Sequence, residues 1–274
     1  MRKCIMVLLF AASAPCWSQA HDSQVIRQFG FSDHQWLETF NPPWETRSET
    51  VKTVTTADAP GADTSLHIDY PAGAVGPREG GVQFPIVFSR LQGAGTLYTG
   101  LTLEYCLKFK EGFDFVKGGK LPGLMGGEDS WSRSGGQQPD GSNGWTLRYM
   151  WREQGKAVIY AYLPPSPNGR YGNKTWGQDL PLGKSFVPGQ WHCLKQRVVV
   201  NDIGRENGEL HVWFDGEKVL TLSDITYRLA DTPAGKIGGI LVSTFHGGNT
   251  QEWAPAHDSH LLLNNFAISR GETD

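Results

Sequence analysis

The chain has 274 residues, with 28 acidic against 25 basic side chains and a formal net charge of −3. This near-neutral balance, without a basic block, argues against nucleic acid and anionic membranes as partners, and no apolar run is long enough for a membrane-spanning helix. Its 34 glycines, 10 tryptophans and 8 tyrosines suit a β-rich protein that handles sugars on aromatic surfaces.

At the amino end, Arg2 and Lys3 precede an apolar run over 5–14, and the segment closes on Trp17-Ser18-Gln19-Ala20. A basic start, a short apolar stretch and a small-x-small site predict a secretory signal peptide over 1–20, cut after Ala20. The mature protein is therefore expected to be secreted or periplasmic, with 21–274 forming a single domain. Cys4 and Cys16 leave with the signal. Cys106 and Cys193 remain in a compartment where a disulfide persists, and the sequence leaves open whether their strands are neighbours. The first sixty mature residues, with Pro42-Pro43-Trp44, lack a regular pattern and are expected to supply edge strands and loops.

Period-two alternation dominates beyond residue 80. In LTLEYCLKFK, Leu101, Leu103, Tyr105, Leu107 and Phe109 share one face. KGGKLPGLMGG follows, with Lys120 among glycines. It is not a phosphate loop, because Leu121 stands where Ser or Thr is required. GWTLRYMWR then alternates Trp145, Leu147, Tyr149 and Trp151 against Thr146, Arg148, Met150 and Arg152. AVIYAYL, CLKQRVVVN and LHVWFDGEKVLTL, the last with Asp215-Gly216 as a hairpin turn, continue the pattern to HLLLNNFAIS. Many short strands with glycine-rich turns and no long helix predict an all-β fold: a β-sandwich of jelly-roll type whose concave sheet forms a cleft.

Glu153-Gln154-Gly155 makes a three-residue hairpin loop with Gly155 left-handed. Counting back from it pairs Arg152 with Lys156, Arg148 with Tyr160 and Thr146 with Tyr162. The apolar residues of both strands face the core, so these polar and phenolic side chains meet on the opposite face. Two readings are open at this point: ordinary half-buried tyrosines with a stacked arginine, or a site. Lys120 likewise reads as a solvated loop lysine or as part of that site. His257 and His260 lie out of helix register in loop-like sequence, so no metal site is expected, and no facing carboxyl pair for glycoside hydrolysis stands out.

FDFVKGGKLPGL, GWTLRYMWR with Tyr-x-Tyr shortly after, FVPGQWHCLKQRVVVN, NGELHVWFDG and STFHGG followed by WAP together resemble polysaccharide lyase family 14 over roughly 80–270. The resemblance implies a jelly-roll enzyme that cleaves alginate or glucuronan by β-elimination without a metal or other cofactor, its partner an acidic polysaccharide. It implies catalytic roles for Lys120, Arg148, Tyr160 and Tyr162, with Thr146 standing where a serine is more usual. Arg152 is expected in further sugar subsites, and His246, which stands where an aromatic is expected in STFHGG, either reaches the cleft from a strand end or is a structural substitution. On this reading Arg148 binds the uronate carboxylate and Lys120 adds a second positive charge. Both would lower a tyrosine pKa so that Tyr162 or Tyr160 serves as base and acid, with Lys120 as the rival base. A non-catalytic sugar-binding sandwich is the alternative from another class.

Overall fold

A computed structural model describes residues 25–31, 35–129, 134–172 and 176–270; the expected signal segment lies outside them. In chain order the first strands are β1 (Val25–Phe29), β2 (Lys52–Thr55), β3 (Thr64–Tyr70), β4 (Val82–Val87) and β5 (Gly100–Phe109). Next come β6 (Gly118–Gly126), β7 (Thr146–Arg152), β8 (Lys156–Tyr162), β9 (Gln178–Ser185) and β10 (Trp191–Val199). The chain closes with β11 (Gly208–Phe214), β12 (Glu217–Ile225), β13 (Ile237–His246) and β14 (Ser259–Ser269). Its two α-helices among the described residues, α1 (Trp36–Phe40) and α2 (Phe88–Gln92), are each barely more than one turn.

Eight strands form one sheet in the order β12-β11-β10-β5-β14-β3-β2, with β1 also on β14. Six form the other, β4-β13-β6-β7-β8-β9. This is the expected sandwich of jelly-roll type. Alternation decides which side chains fill it: Leu101, Leu103, Tyr105, Leu107 and Phe109 from β5 meet Leu147, Tyr149, Trp151, Ile159 and Ala161 from β7 and β8 in one core. The irregular amino-terminal part supplies the sheet-edge strand β2, as its composition suggests, together with β1.

Polar seams tie the sheets together inside this core. The Tyr105 hydroxyl donates to the carbonyl of Pro122 and the Tyr149 hydroxyl to that of Lys195, each crossing from one sheet to the other. Gln196 does more. Its amide accepts from Leu124 N–H at 3.0 Å and donates to the Leu147 carbonyl at 3.1 Å. Leu124 and Leu147 are opposed in β6 and β7, next to the point where the register of that pair shifts between Lys120 and Gly123. The Gln196 amide thus satisfies two backbone groups directly behind Arg148. Gln196→Leu would leave both buried and unpaired, so a loss of about 1–3 kcal/mol per group is expected in denaturant unfolding.

The GGKLPGL segment is β6, and its glycines are where neighbours come closest. A Cβ on Gly119 would stand 2.0 Å from the Trp151 ring, and one on Gly123 1.9 Å from the Leu147 carbonyl oxygen. Pro122 sits at the register shift, where a strand tolerates a residue without an N–H. These residues let β6 lie tightly against β7 and hold Lys120 on a strand rather than in a solvated loop.

Cys106 and Cys193 are directly opposed on β5 and β10 and form a disulfide. They are 87 residues apart in sequence, so the bond restrains a long loop of the unfolded chain. The Cys106→Ser, Cys193→Ser double variant is expected to lose about 2–4 kcal/mol of stability, read as a lowered Tm that reducing agent no longer shifts.

Candidate active site

The face of the six-stranded sheet turned away from the core carries the site. The β7–β8 hairpin pairs Thr146 with Tyr162 and Arg148 with Tyr160, as the count from the turn predicts. Both Gln154 and Gly155 adopt left-handed backbone there, one residue more than expected. With the apolar partners committed to the core, Met150, Val158, Tyr160 and Tyr162 form a separate cluster on the outer face, flanked by Trp253.

Lys120 enters this cluster from β6, opposite Met150. Its ammonium donates to the Met150 sulfur at 3.2 Å and lies 4.2 Å from the centre of the Tyr160 ring. A thioether is a weak acceptor, and no carboxylate pairs with Lys120 among the described residues. Burial, reinforced by repulsion from Arg148 and Arg152, holds its pKa well below that of a free lysine. Gly247 makes room for it: a Cβ there would stand 2.9 Å from Nζ.

Arg148 is 2% exposed. Its Nη1 is 3.5 Å from Ser243 Oγ, the guanidinium carbon is 5.9 Å from the Tyr162 ring centre, and Nε has no partner among the described residues. Ser243 is in turn held by the Gln83 amide at 3.0 Å. Burial lowers the pKa of Arg148 while the two phenols oppose that shift; it remains cationic.

Tyr160 and Tyr162 meet edge to face with ring centres 5.4 Å apart. The Tyr162 hydroxyl accepts the backbone N–H of Gly136 at 3.1 Å. Gly177 crosses both rings, where a Cβ would lie under 3 Å from each. The expectation that the cations pull a tyrosine pKa down fails for Tyr160. Its pKa is raised, by burial first and by the adjacent Tyr162 second, and the attraction of Arg148 and Arg152 does not offset them. Burial also shifts Lys120 toward the neutral amine, against the second fixed charge expected there.

Of the other predicted residues, Thr146 is buried on this face beside Tyr162. Arg152 lies 5.4 Å from the Tyr160 ring centre and is gripped by Asp179 through two hydrogen bonds of 2.9 and 2.6 Å. His246 is not brought to the site. It closes β13 with its ring turned into the sandwich, stacked on Phe113 and edge-on to Tyr70 and Trp151, with Nε2 at the Asp114 carbonyl. Burial lowers its pKa and keeps it neutral.

Sequence reasoning missed Ser243, Gln83, Asp179 and Gly136. Ser243 lies inside the quoted STFHGG and could have been found by asking which side chain of that strand shares the face of Arg148.

The Polysaccharide lyase 14 family model matches residues 58–266. A marine PL-14 alginate lyase from Aplysia kurodai superposes with a TM-score of 0.78 at 25% identity, over 91% of this chain and 100% of that one. A variant of the alginate lyase Aly36B in complex with alginate tetrasaccharide gives 0.67 at 22% identity, covering 90% and 94%. Endo-β-1,4-glucuronan lyase from the fungus Trichoderma reesei gives 0.56 at 11%, covering 90% and 96%. No curated protein matches the chain.

Proposed function

From the premise that the chain belongs to polysaccharide lyase family 14, we propose that it cleaves a 1,4-linked polyuronate, alginate with mannuronate blocks preferred, by β-elimination. The observation that carries this reading is a pair of buried basic groups, Lys120 and Arg148, beside two phenols and without a carboxylate partner among the described residues. Buried charges are normally paired. A site that withholds a carboxylate from the cationic Arg148 is prepared for an anion brought by the substrate.

Elimination removes the C5 proton next to the uronate carboxylate and expels the oxygen at C4. Charge builds on the carboxylate as the proton leaves, and Arg148 meets it there with a planar fork. Lys120, held toward the neutral amine, takes the C5 proton. Tyr160, held protonated, supplies a proton to the leaving O4. The electron pair of the broken C–H bond becomes the C4–C5 double bond, and the C4–O pair leaves with the sugar. Tyr162 orients Tyr160 and the sugar, steadied by the Gly136 N–H. Asp179 keeps Arg152 against Tyr160, and the Thr146 hydroxyl borders the same pocket. Export of the enzyme is part of the reading, supported by the 1–20 segment and the disulfide.

A panel of poly-mannuronate, poly-guluronate and glucuronan, followed by absorbance of the conjugated product, tests the assignment. Fastest turnover on poly-mannuronate is expected. Turnover confined to glucuronan would replace the substrate, and no product on any of the three would overturn the reading.

A further inference from the structure

The eight-stranded sheet has an outer face of its own, on the side of the sandwich opposite the cleft. Alternation along β10 and β11 buries Leu194, Val198, Leu210 and Val212 and turns Trp191, Lys195 and Trp213 outward. Register sets Lys195, Trp213 and Lys218 side by side on β10, β11 and β12. The ammonium groups of Lys195 and Lys218 lie 4.7 and 5.1 Å from the Trp213 ring centre. Along β10, Trp191 faces Lys108, whose ammonium is 5.1 Å from that ring.

Half-exposed tryptophans on a solvated sheet face keep apolar ring surface in water, which the fold does not need. A flat ring between two ammonium groups matches one chemistry closely: an indole takes the C–H face of a sugar, while lysines take carboxylates on its neighbours. Strands lie about 4.8 Å apart, so the Lys195 and Lys218 backbones are about 10 Å apart with Trp213 midway, the scale of two sugar residues. The Lys195 and Lys218 ammonium groups are available to a ligand, whereas that of Lys108 is held by Asp58 at 2.6 Å. Lys195 pairs with half-exposed Glu104 at a loose 3.6 Å, a contact worth little, and Lys218 has no ion pair among the described residues. The row is a local cationic feature on a chain of net charge −3.

We infer that Trp213, Lys195 and Lys218, extended by Trp191, form a second binding surface for an anionic polysaccharide chain, separate from the cleft. The choice of ligand rests on the polyuronate reading above. Such a surface holds one stretch of polymer while another occupies the cleft, raising the effective concentration of cleavable bonds.

The test is native electrophoresis through gels containing poly-mannuronate, on a Lys120→Met background so that the polymer survives. Trp213→Ala and Lys218→Glu are added singly. Lys218 is exposed, so its variant checks the surface even where Trp213→Ala perturbs folding. Each is expected to weaken retardation, raising the apparent Kd about tenfold for Trp213→Ala. Polyglutamate, which carries carboxylates but no sugar ring, is expected to retard the protein far less. Unchanged retardation in both variants, or equal retardation by polyglutamate, overturns the surface while leaving the lyase reading intact. Retardation that depends on Trp213, from a wild type that makes no unsaturated product, upholds the surface and removes the lyase reading instead.

Discussion

Arg148→Met is expected to abolish turnover and leave the fold as stable as before, or more so. The guanidinium is buried, its hydrogen bond to Ser243 Oγ is long at 3.5 Å, and Nε has no partner among the described residues. Desolvating a cation without a carboxylate costs several kcal/mol that the apo protein does not recover. Methionine fills much of the same space with no charge to desolvate. Loss of transition-state charge stabilisation at one donor typically lowers kcat by about 10²–10³, and Arg148 offers more than one. The measurement pairs the rate of double-bond formation with the denaturant midpoint. An active variant contradicts the role of Arg148; an inactive one with a markedly lower midpoint contradicts the claim that the fold carries this arginine at a cost.

Lys120→Met is expected to lower kcat by about 10²–10⁴, the usual contribution of a positioned acid or base. Lys120→Arg should be as inactive, because an arginine retains the charge but cannot give up its proton. That comparison separates the two roles sequence reasoning left open. A base must be unprotonated, and the Lys120 pKa is depressed by burial and by Arg148. The kcat/KM of the wild type should therefore rise as pH climbs through that depressed pKa, and fall as Lys120 is protonated below it. The raised pKa of Tyr160 keeps the acid in place on the alkaline side of that rise. Restored activity in Lys120→Arg would make the lysine a counter-charge and return the base to a tyrosine.

How much of this was legible follows from how local each interaction is. The β7–β8 register hangs on three turn residues, so counting outward from Glu153-Gln154-Gly155 placed Arg148 against Tyr160 without further information. Alternation likewise sorted core from site along both strands. Lys120 could not be placed this way: its partner strand begins 26 residues later, across a register shift, and only the motif resemblance brought it to the face. Asp179 and Gln196 act through contacts across strands or sheets that leave no mark in their own segments. His246 turned the wrong way because alternation from Ile240 to the end of β13 sets it on the core side with Ile240 and Val242. Ser243 faces outward on that strand and His246, three positions on, faces in. Cys106 and Cys193 needed the β5–β10 register, which is equally non-local.

The central claim is elimination, and one experiment reads it most directly. With wild-type protein on poly-mannuronate, conjugated double bonds and new reducing ends are counted in the same sample over time. One double bond per new reducing end is predicted from the first turnover onward. Reducing ends that accumulate without absorbance would mean that water, not the C5 electron pair, breaks the bond, and the assignment of Lys120, Arg148 and Tyr160 to elimination would be wrong.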